Sequence, residues 1–353
     1  MSKSKLLFSW ILAGCCVAIA AAAIAEEDSI IVDANGDYII TYRSNMVAGG
    51  IARVVWVPST KIDPLVTWNI GLSDSHPEEL AYRYTFKNGK TSRQDLEGGR
   101  LVVSHLIPSS QIIPAGWQGT VSNSLGGNPG FVVGWSFGGA KMGGVKPGAR
   151  QGGFGLKSNH LPGIGLFEFW GSAPAGQSFP DEGPDELSPI RTQFVDLSVK
   201  DFVSHNTAVP RISVGSPFNA AVALDNLRAH ITADIVGIKL IDPSFASQLD
   251  RLIQAAANSV RLNNPQAARE QIKDALKLLH KEHEDMDKDD GDRDEDRDDK
   301  DRGDKKSKSA FIDRLAARVL DFDLRYVERR LKTKDDNDRD DKDRHNKDDK
   351  DKR

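Results

Sequence analysis

The chain has 353 residues, enough for two or three domains, and its 47 basic against 51 acidic residues leave a net charge of −4. That balance excludes a nucleic-acid binder driven by overall charge. Hydrophobic residues at 39% permit a packed core, while 31 glycines and 16 prolines suit a loop-rich β protein better than an all-helical one.

Residues 1–25 read as a secretory signal peptide. Lys3 and Lys5 open it, residues 6–23 are almost wholly apolar, and Ala23-Ile24-Ala25 is a small-x-small cleavage site before Glu26-Glu27-Asp28. A membrane anchor could share the apolar run, but the alanine-rich second half and the abrupt acidic switch favour cleavage. Leu12-Ala13-Gly14-Cys15 also matches a bacterial lipobox, which would make Cys15 a lipidated N-terminus and the membrane a partner. Against lipidation, Cys16-Val17-Ala18-Ile19 follows where a lipoprotein normally has a polar tether. Cys15 and Cys16 are the only cysteines, so cleavage after Ala25 leaves no disulfide and no Cys-ligated metal. Loss of Lys3 and Lys5 takes the net charge from −4 to −6.

From residue 29 to about 213 the pattern is β. A strand over 29–32, a turn at Asp33-Ala34-Asn35-Gly36-Asp37 and a strand over 38–42 predict a hairpin. Further strands are expected over 52–57, 65–72, 80–86, 101–107, 131–137, 164–170 and 194–203. Tyr82, Tyr84 and Phe86 alternate with Arg83, Thr85 and Lys87, and so share one face; Phe131, Val133, Trp135 and Phe137 do likewise. Short strands with Gly, Pro and Asn punctuation predict an antiparallel sandwich of Ig-like character spanning 26–213. Residues 174–189 read as a surface loop within it, and Gly215-Ser216-Pro217 as a domain boundary.

Beyond Pro217 the period becomes helical. Leu224, Leu227, Ile231 and Ile235 fit one helix face. Asp242-Pro243 starts another helix, with Leu249, Leu252, Ile253, Ala256 and Val260 on its stripe. Asn263-Asn264-Pro265 breaks it. Ala268, Ile272, Ala275, Leu276 and Leu279 form a third stripe, and Ile312, Leu315, Ala316, Val319, Leu320 and Val327 a fourth. The class is therefore α+β, a β-sandwich followed by a small helical bundle over 217–331. Two low-complexity stretches complete it: an insert over 285–306 with 12 acidic and 7 basic residues, and a tail over 332–353 with 9 of each. Neither holds enough apolar surface to fold alone.

Tyr82-Arg83-Tyr84-Thr85-Phe86-Lys87-Asn88, Gly116-Trp117, Gly153-Phe154-Gly155-Leu156-Lys157-Ser158 and Leu161-Pro162-Gly163-Ile164 resemble an N-terminal module of uncharacterised bacterial secreted proteins. Residues 242–331 resemble the FIMAH domain, a helical module at the C-terminus of some exported bacterial proteins. That likeness lies in two helices split by Asn263-Asn264-Pro265 and a third after the charged insert. The literal five-residue FIMAH run is missing. Neither resemblance implies catalytic residues.

His280 and His283, with Asp285, Asp287 and Asp289 close behind, are the candidate metal ligands. Two imidazoles at i, i+3 suit zinc or copper, and the dense carboxylates suggest weak Ca²⁺ or mineral binding. The EF-hand template fails by one residue, since its sixth position from Asp285 is Asp290 and the glycine is Gly291. The plainer reading is dipole-complementing side chains at a helix C-terminus and a solubilising charged run. The glycine-rich stretch 126–155 matches neither phosphate-loop template and reads as tight turns. Trp56, Trp68, Trp135 and Trp170 are expected in the core, which leaves Trp117, in the loop Pro114-Ala115-Gly116-Trp117, as the candidate ligand-binding residue. Gly134-Trp135-Ser136-Phe137-Gly138 matches G-x-S-x-G, but Gly139-Ala140-Lys141-Met142-Gly143-Gly144 is a poor start for the helix that a nucleophile elbow requires.

These features predict a non-enzymatic exported protein, secreted or periplasmic, that binds an envelope component, a polysaccharide or another protein. Two rivals remain: cation or mineral binding through 285–306, and a hydrolase whose triad is geometric rather than sequential.

Overall fold

The computed structural model describes residues 28–73, 79–103, 110–123, 131–138, 143–281 and 312–331. The segment expected to be a signal peptide, the charged insert and the charged tail lie outside them. Among the described residues, three antiparallel sheets and five α-helices make an α+β protein with a strand-rich, sandwich-like N-terminal region. The chain forms two compact units, Met1–Pro58 with Gly176–Lys200, and Ser59–Ala175 with Asp201–Arg353. Gly215-Ser216-Pro217 falls inside the second, because the helices beyond it share one apolar cluster with the strands before it.

In the first unit, β1 (Ser29–Val32), β2 (Tyr38–Arg43) and β3 (Ile51–Trp56) form a meander. The first turn is the one the Asn-Gly pair predicts. The Asp33 carboxylate accepts the backbone N–H groups of Asn35 and Asp37, each at 2.8 Å, and Gly36 takes a φ of 73° that glycine adopts freely. Register places Ile30, Ile40 and Val54 on one face, and that face packs with α1 (Pro189–Ser198) through Ile190 and Phe194. The strand expected over 194–203 is therefore helix at its start. Ser188 caps α1 by accepting the Arg191 N–H at 3.2 Å, and Pro189 is pre-set for the first turn. Ile190 and Phe194, four residues apart, then face the same way.

The second unit has two sheets. One runs β4 (Pro64–Leu72), β5 (Leu80–Asn88), β10 (Arg150–Ser158) and β7 (Gln111–Ile112). The other runs β12 (Val203–Ile212), β11 (Leu161–Gly171), β6 (Leu96–Val103), β9 (Phe131–Phe137) and β8 (Trp117–Asn123). Tyr82, Tyr84 and Phe86 are buried, as their alternation predicts. Phe86 stacks on Phe154 at 3.9 Å and meets Phe167 edge-on at 5.0 Å, so rings from both sheets interlock. β10 begins inside the glycine-rich stretch 126–155, which reads as tight turns in the sequence. Its glycines instead serve the strand: Gly153, at φ 91°, sits in a bulge between Gln151 and Phe154, and a Cβ on Gly155 would overlap the Tyr82 carbonyl.

α2 (Ala220–His230) runs into a single π-helical turn, Ile231–Ile235, and is followed by α3 (Pro243–Arg261), α4 (Pro265–Lys281) and α5 (Arg314–Arg330). Asp242 caps α3 by accepting the N–H groups of Ser244 and Phe245. The predicted stripes face inward: Leu224, Leu227, Ile231, Ile235, Leu249, Ile253, Ile272, Val319 and Leu320 are all fully buried. Consecutive helices touch, α2 also packs on β12, and α5 packs on β11 and β12.

Candidate functional site

Trp117 is not the loop residue its Pro-Ala-Gly context suggests. It opens β8, is only 9% exposed, and packs edge-on against Phe154 at 4.7 Å and Phe137 at 5.9 Å. It is a core side chain, because Gly116 at φ 82° turns the chain just before it and the ring swings inward. Trp135 is fully buried, with its indole N–H donating to the Ile112 carbonyl at 3.0 Å.

Of the candidate metal ligands, His280 alone lies among the described residues. It is the penultimate residue of α4, and its Nε2 lies 2.8 Å from Asp321 Oδ1 on α5, beside Arg325. His283, Asp285, Asp287 and Asp289 lie outside the described residues, and no cluster of three or more ligating side chains occurs among those described. Ser136 sits within β9, paired with Gly98 on one side and Gln118 on the other, rather than on a strand-to-helix turn. Asp181, Glu182, Asp185 and Glu186, acids of the 174–189 stretch, belong to the first unit; Asp181 accepts from Ser44, Tyr42 and the Gly183 N–H.

The five-stranded sheet carries a different arrangement on the face away from its aromatic core. Phe167 and Phe169 point inward, so Glu168 and Trp170 point out. Register sets Glu168 against Arg100 and Ser204, and Trp170 against Gly98, which pairs in turn with Ser136. Arg100 Nε donates to Glu168 Oε2 at 2.6 Å, and its guanidinium lies 4.2 Å from the centre of the Phe202 ring. Trp170 meets Phe202 edge-on at 6.0 Å. A Cβ on Gly98 would overlap the Trp170 indole, so the glycine is what allows that ring to lie down across the sheet. Gly134, next to Arg100, likewise makes room for the Thr120 hydroxyl. The result is an outer face on which Trp170, Phe202, Arg100, Glu168 and Ser136 are half-buried, with Gly98 and Gly134 buried among them.

This face offers aromatic carbon surface next to a charged donor and a charged acceptor. The sequence did carry the signal for it: once Phe167 and Phe169 are assigned inward, strict alternation sends Trp170 outward with Glu168. No protein-family model matches the chain, and no curated protein matches it. Among the described residues, no helix is long and apolar enough to cross a membrane.

Proposed function

We propose that the protein is an exported, non-enzymatic binding protein that takes a polysaccharide on the outer face of the five-stranded sheet. Export is supported by Lys3, Lys5, the apolar run over 6–23 and the Ala23-Ile24-Ala25 site. The reading treats the strand-rich region as Ig-like in character and α2–α5 as a small bundle resembling the FIMAH module. The observation that carries it is Trp170, laid across Gly98 beside the Arg100–Glu168 ion pair. A sugar ring has one apolar C–H face and a rim of hydroxyls. An indole covers the former, and a guanidinium and a carboxylate bond the latter, which is the pairing of aromatic surface and charge-assisted hydrogen bonds found here. A site laid out across a sheet face suits an extended polymer better than a small molecule.

Affinity electrophoresis through gels containing neutral and acidic polysaccharides tests this. The wild-type chain is expected to be retarded in at least one gel, and Trp170→Ala to lose about tenfold or more in affinity. A wild type that runs unretarded in all of them, or a Trp170→Ala variant retarded as strongly as wild type, overturns the reading.

A further inference from the structure

β11 runs out of strand partners on one side. It pairs with β12 from Leu161 to Phe169 but with β6 only from Phe167 to Gly171. Over 161–166 the β6 side has no strand neighbour among the described residues, and its backbone groups must find partners elsewhere. His230, the last residue of α2, fills that place. The buried Ile164 N–H donates to His230 Nε2 at 3.0 Å. Because Nε2 accepts, the ring proton is on Nδ1, which donates to Asp234 Oδ2 at 2.7 Å. A neutral imidazole thus stands in for a strand carbonyl. Gly163 permits the approach, since a Cβ there would lie 3.0 Å from Nε2. Asp234 comes from the π turn, and its other oxygen is 3.1 Å from Arg211 Nη2 on β12. A helix, a π turn and two strands therefore meet at one ring.

We propose that His230 is an acid-sensitive latch: a proton taken up at Nε2 detaches the α2–π segment from β11 and frees the Ile164 N–H. Protonation turns the acceptor into a donor facing another N–H, so the Ile164 bond is lost and the imidazolium must leave a site where the residue is 4% exposed. The charged groups that bear on the ring are Asp234, which favours the imidazolium, and Arg211, which opposes it. Burial opposes it most, and holds the ring below its ordinary pKa. The closed latch therefore takes its proton at lower pH than the open one. Closure is at full strength above about pH 6.5 and weakens about tenfold per unit below it, until the closed ring also titrates.

Amide exchange read by NMR on the full-length protein tests the latch, with the His230 ring followed in the same samples. Protection of the Ile164 amide is expected to be constant from pH 8 to about 6.5 and to fall about tenfold per unit beneath. Val133, deep in the sandwich, is expected to hold its protection. His230→Gln supplies an amide that does not titrate, and is expected to abolish the acid slope at Ile164. Equal protection at Ile164 across the range, equal loss at Val133, or a slope that survives in His230→Gln each overturns the proposal. Should His230→Gln fail to fold, the wild type alone decides, because a ring that takes its proton while Ile164 stays protected has no latch.

Discussion

The first unit centres on Ile40, Tyr42, Ala52, Ile190 and Phe194, whereas in the second one apolar cluster runs through both sheets and all four helices beyond residue 217. Polar groups play opposite parts in the two. In the first, Asp181 gathers the hydroxyls of Tyr42 and Ser44 and the Gly183 N–H. The Gln177 side chain there accepts the Val57 N–H at 2.9 Å and donates to the Val57 carbonyl, as a neighbouring strand would. In the second, Asp323 lies fully buried on α5 with neither carboxylate oxygen hydrogen-bonded among the described residues. A small core leans on polar ties because it buries too little apolar surface. A large one can carry an uncompensated acid.

The largest effect should come from emptying the larger core. Phe167 stacks on Phe169 at 4.4 Å and on Trp135 at 6.1 Å and is wholly buried, so Phe167→Ala is expected to cost about 3–5 kcal/mol in denaturant unfolding. Phe194→Ala, in the smaller core and 7% exposed, should cost less. Equal losses would mean the two cores are equally tight, and the contrast drawn between them would fail.

Asp323 sharpens the contrast with a change of opposite sign. Its carboxyl is held well above the usual range by burial, so the folded chain keeps a proton that the unfolded chain loses above about pH 4. Stability from this group is therefore greatest in acid and falls as pH rises through that window. Asp323→Leu is expected to raise stability at pH 7 by about 1–3 kcal/mol and to flatten that decline, since an apolar side chain replaces one left without partners. Thermal unfolding from pH 4 to 9 reads both. A destabilised Leu variant would mean that the acid has a partner the burial pattern does not reveal.

The helical half was the more legible in sequence, and the reason lies in its period. Leu224, Leu227, Ile231 and Ile235 repeat at helical spacing and are all buried, although nothing in them announces that the last two belong to a π turn. Asp242-Pro243 and Asn263-Asn264-Pro265 mark a cap and a break in local chemistry alone. Strands with clean alternation, such as the one bearing Tyr82, Tyr84 and Phe86, were equally plain. What stayed hidden depends on partners remote in sequence. β10 looks like turns because its glycines answer to Tyr82 and a bulge. α1 was hidden because 194–203 is apolar at either period, and the Ser188-Pro189 start decides it. The division of the chain into units also escaped, since residues 176–200 join strands more than 100 positions earlier. At the candidate site the same limit applies. Trp170 could be turned outward by counting, but Phe202, Arg100 and Gly98 come to it only through the sheet register.

The smallest expected effect is also the most local, and it bears on the polar side of the comparison. The hydroxyls of Ser44 and Tyr42 and the Gly183 N–H hold the Asp181 carboxyl below its usual range. A depressed carboxyl stabilises the fold above its unfolded pKa, about 3.9, and the contribution drains away as pH falls through the folded value. Asp323 favours acid and Asp181 favours the neutral range, so acidification loosens the first unit through the group that ties it. Asp181→Ala leaves the Tyr42 and Ser44 hydroxyls without their acceptor and frees the Gly183 N–H. Faster amide exchange is expected at Gly183, with little change in β5 or β11. Asp181→Asn retains an acceptor of the same shape, and should restore most of the protection while removing its dependence on pH below about 4. Exchange at Gly183 that ignores both substitutions would show that the aromatic contacts of Phe179, stacked on Trp56 at 5.5 Å and edge-on to Tyr42 at 5.6 Å, hold the loop without help from the carboxylate. The small unit would then differ from the large one in size alone.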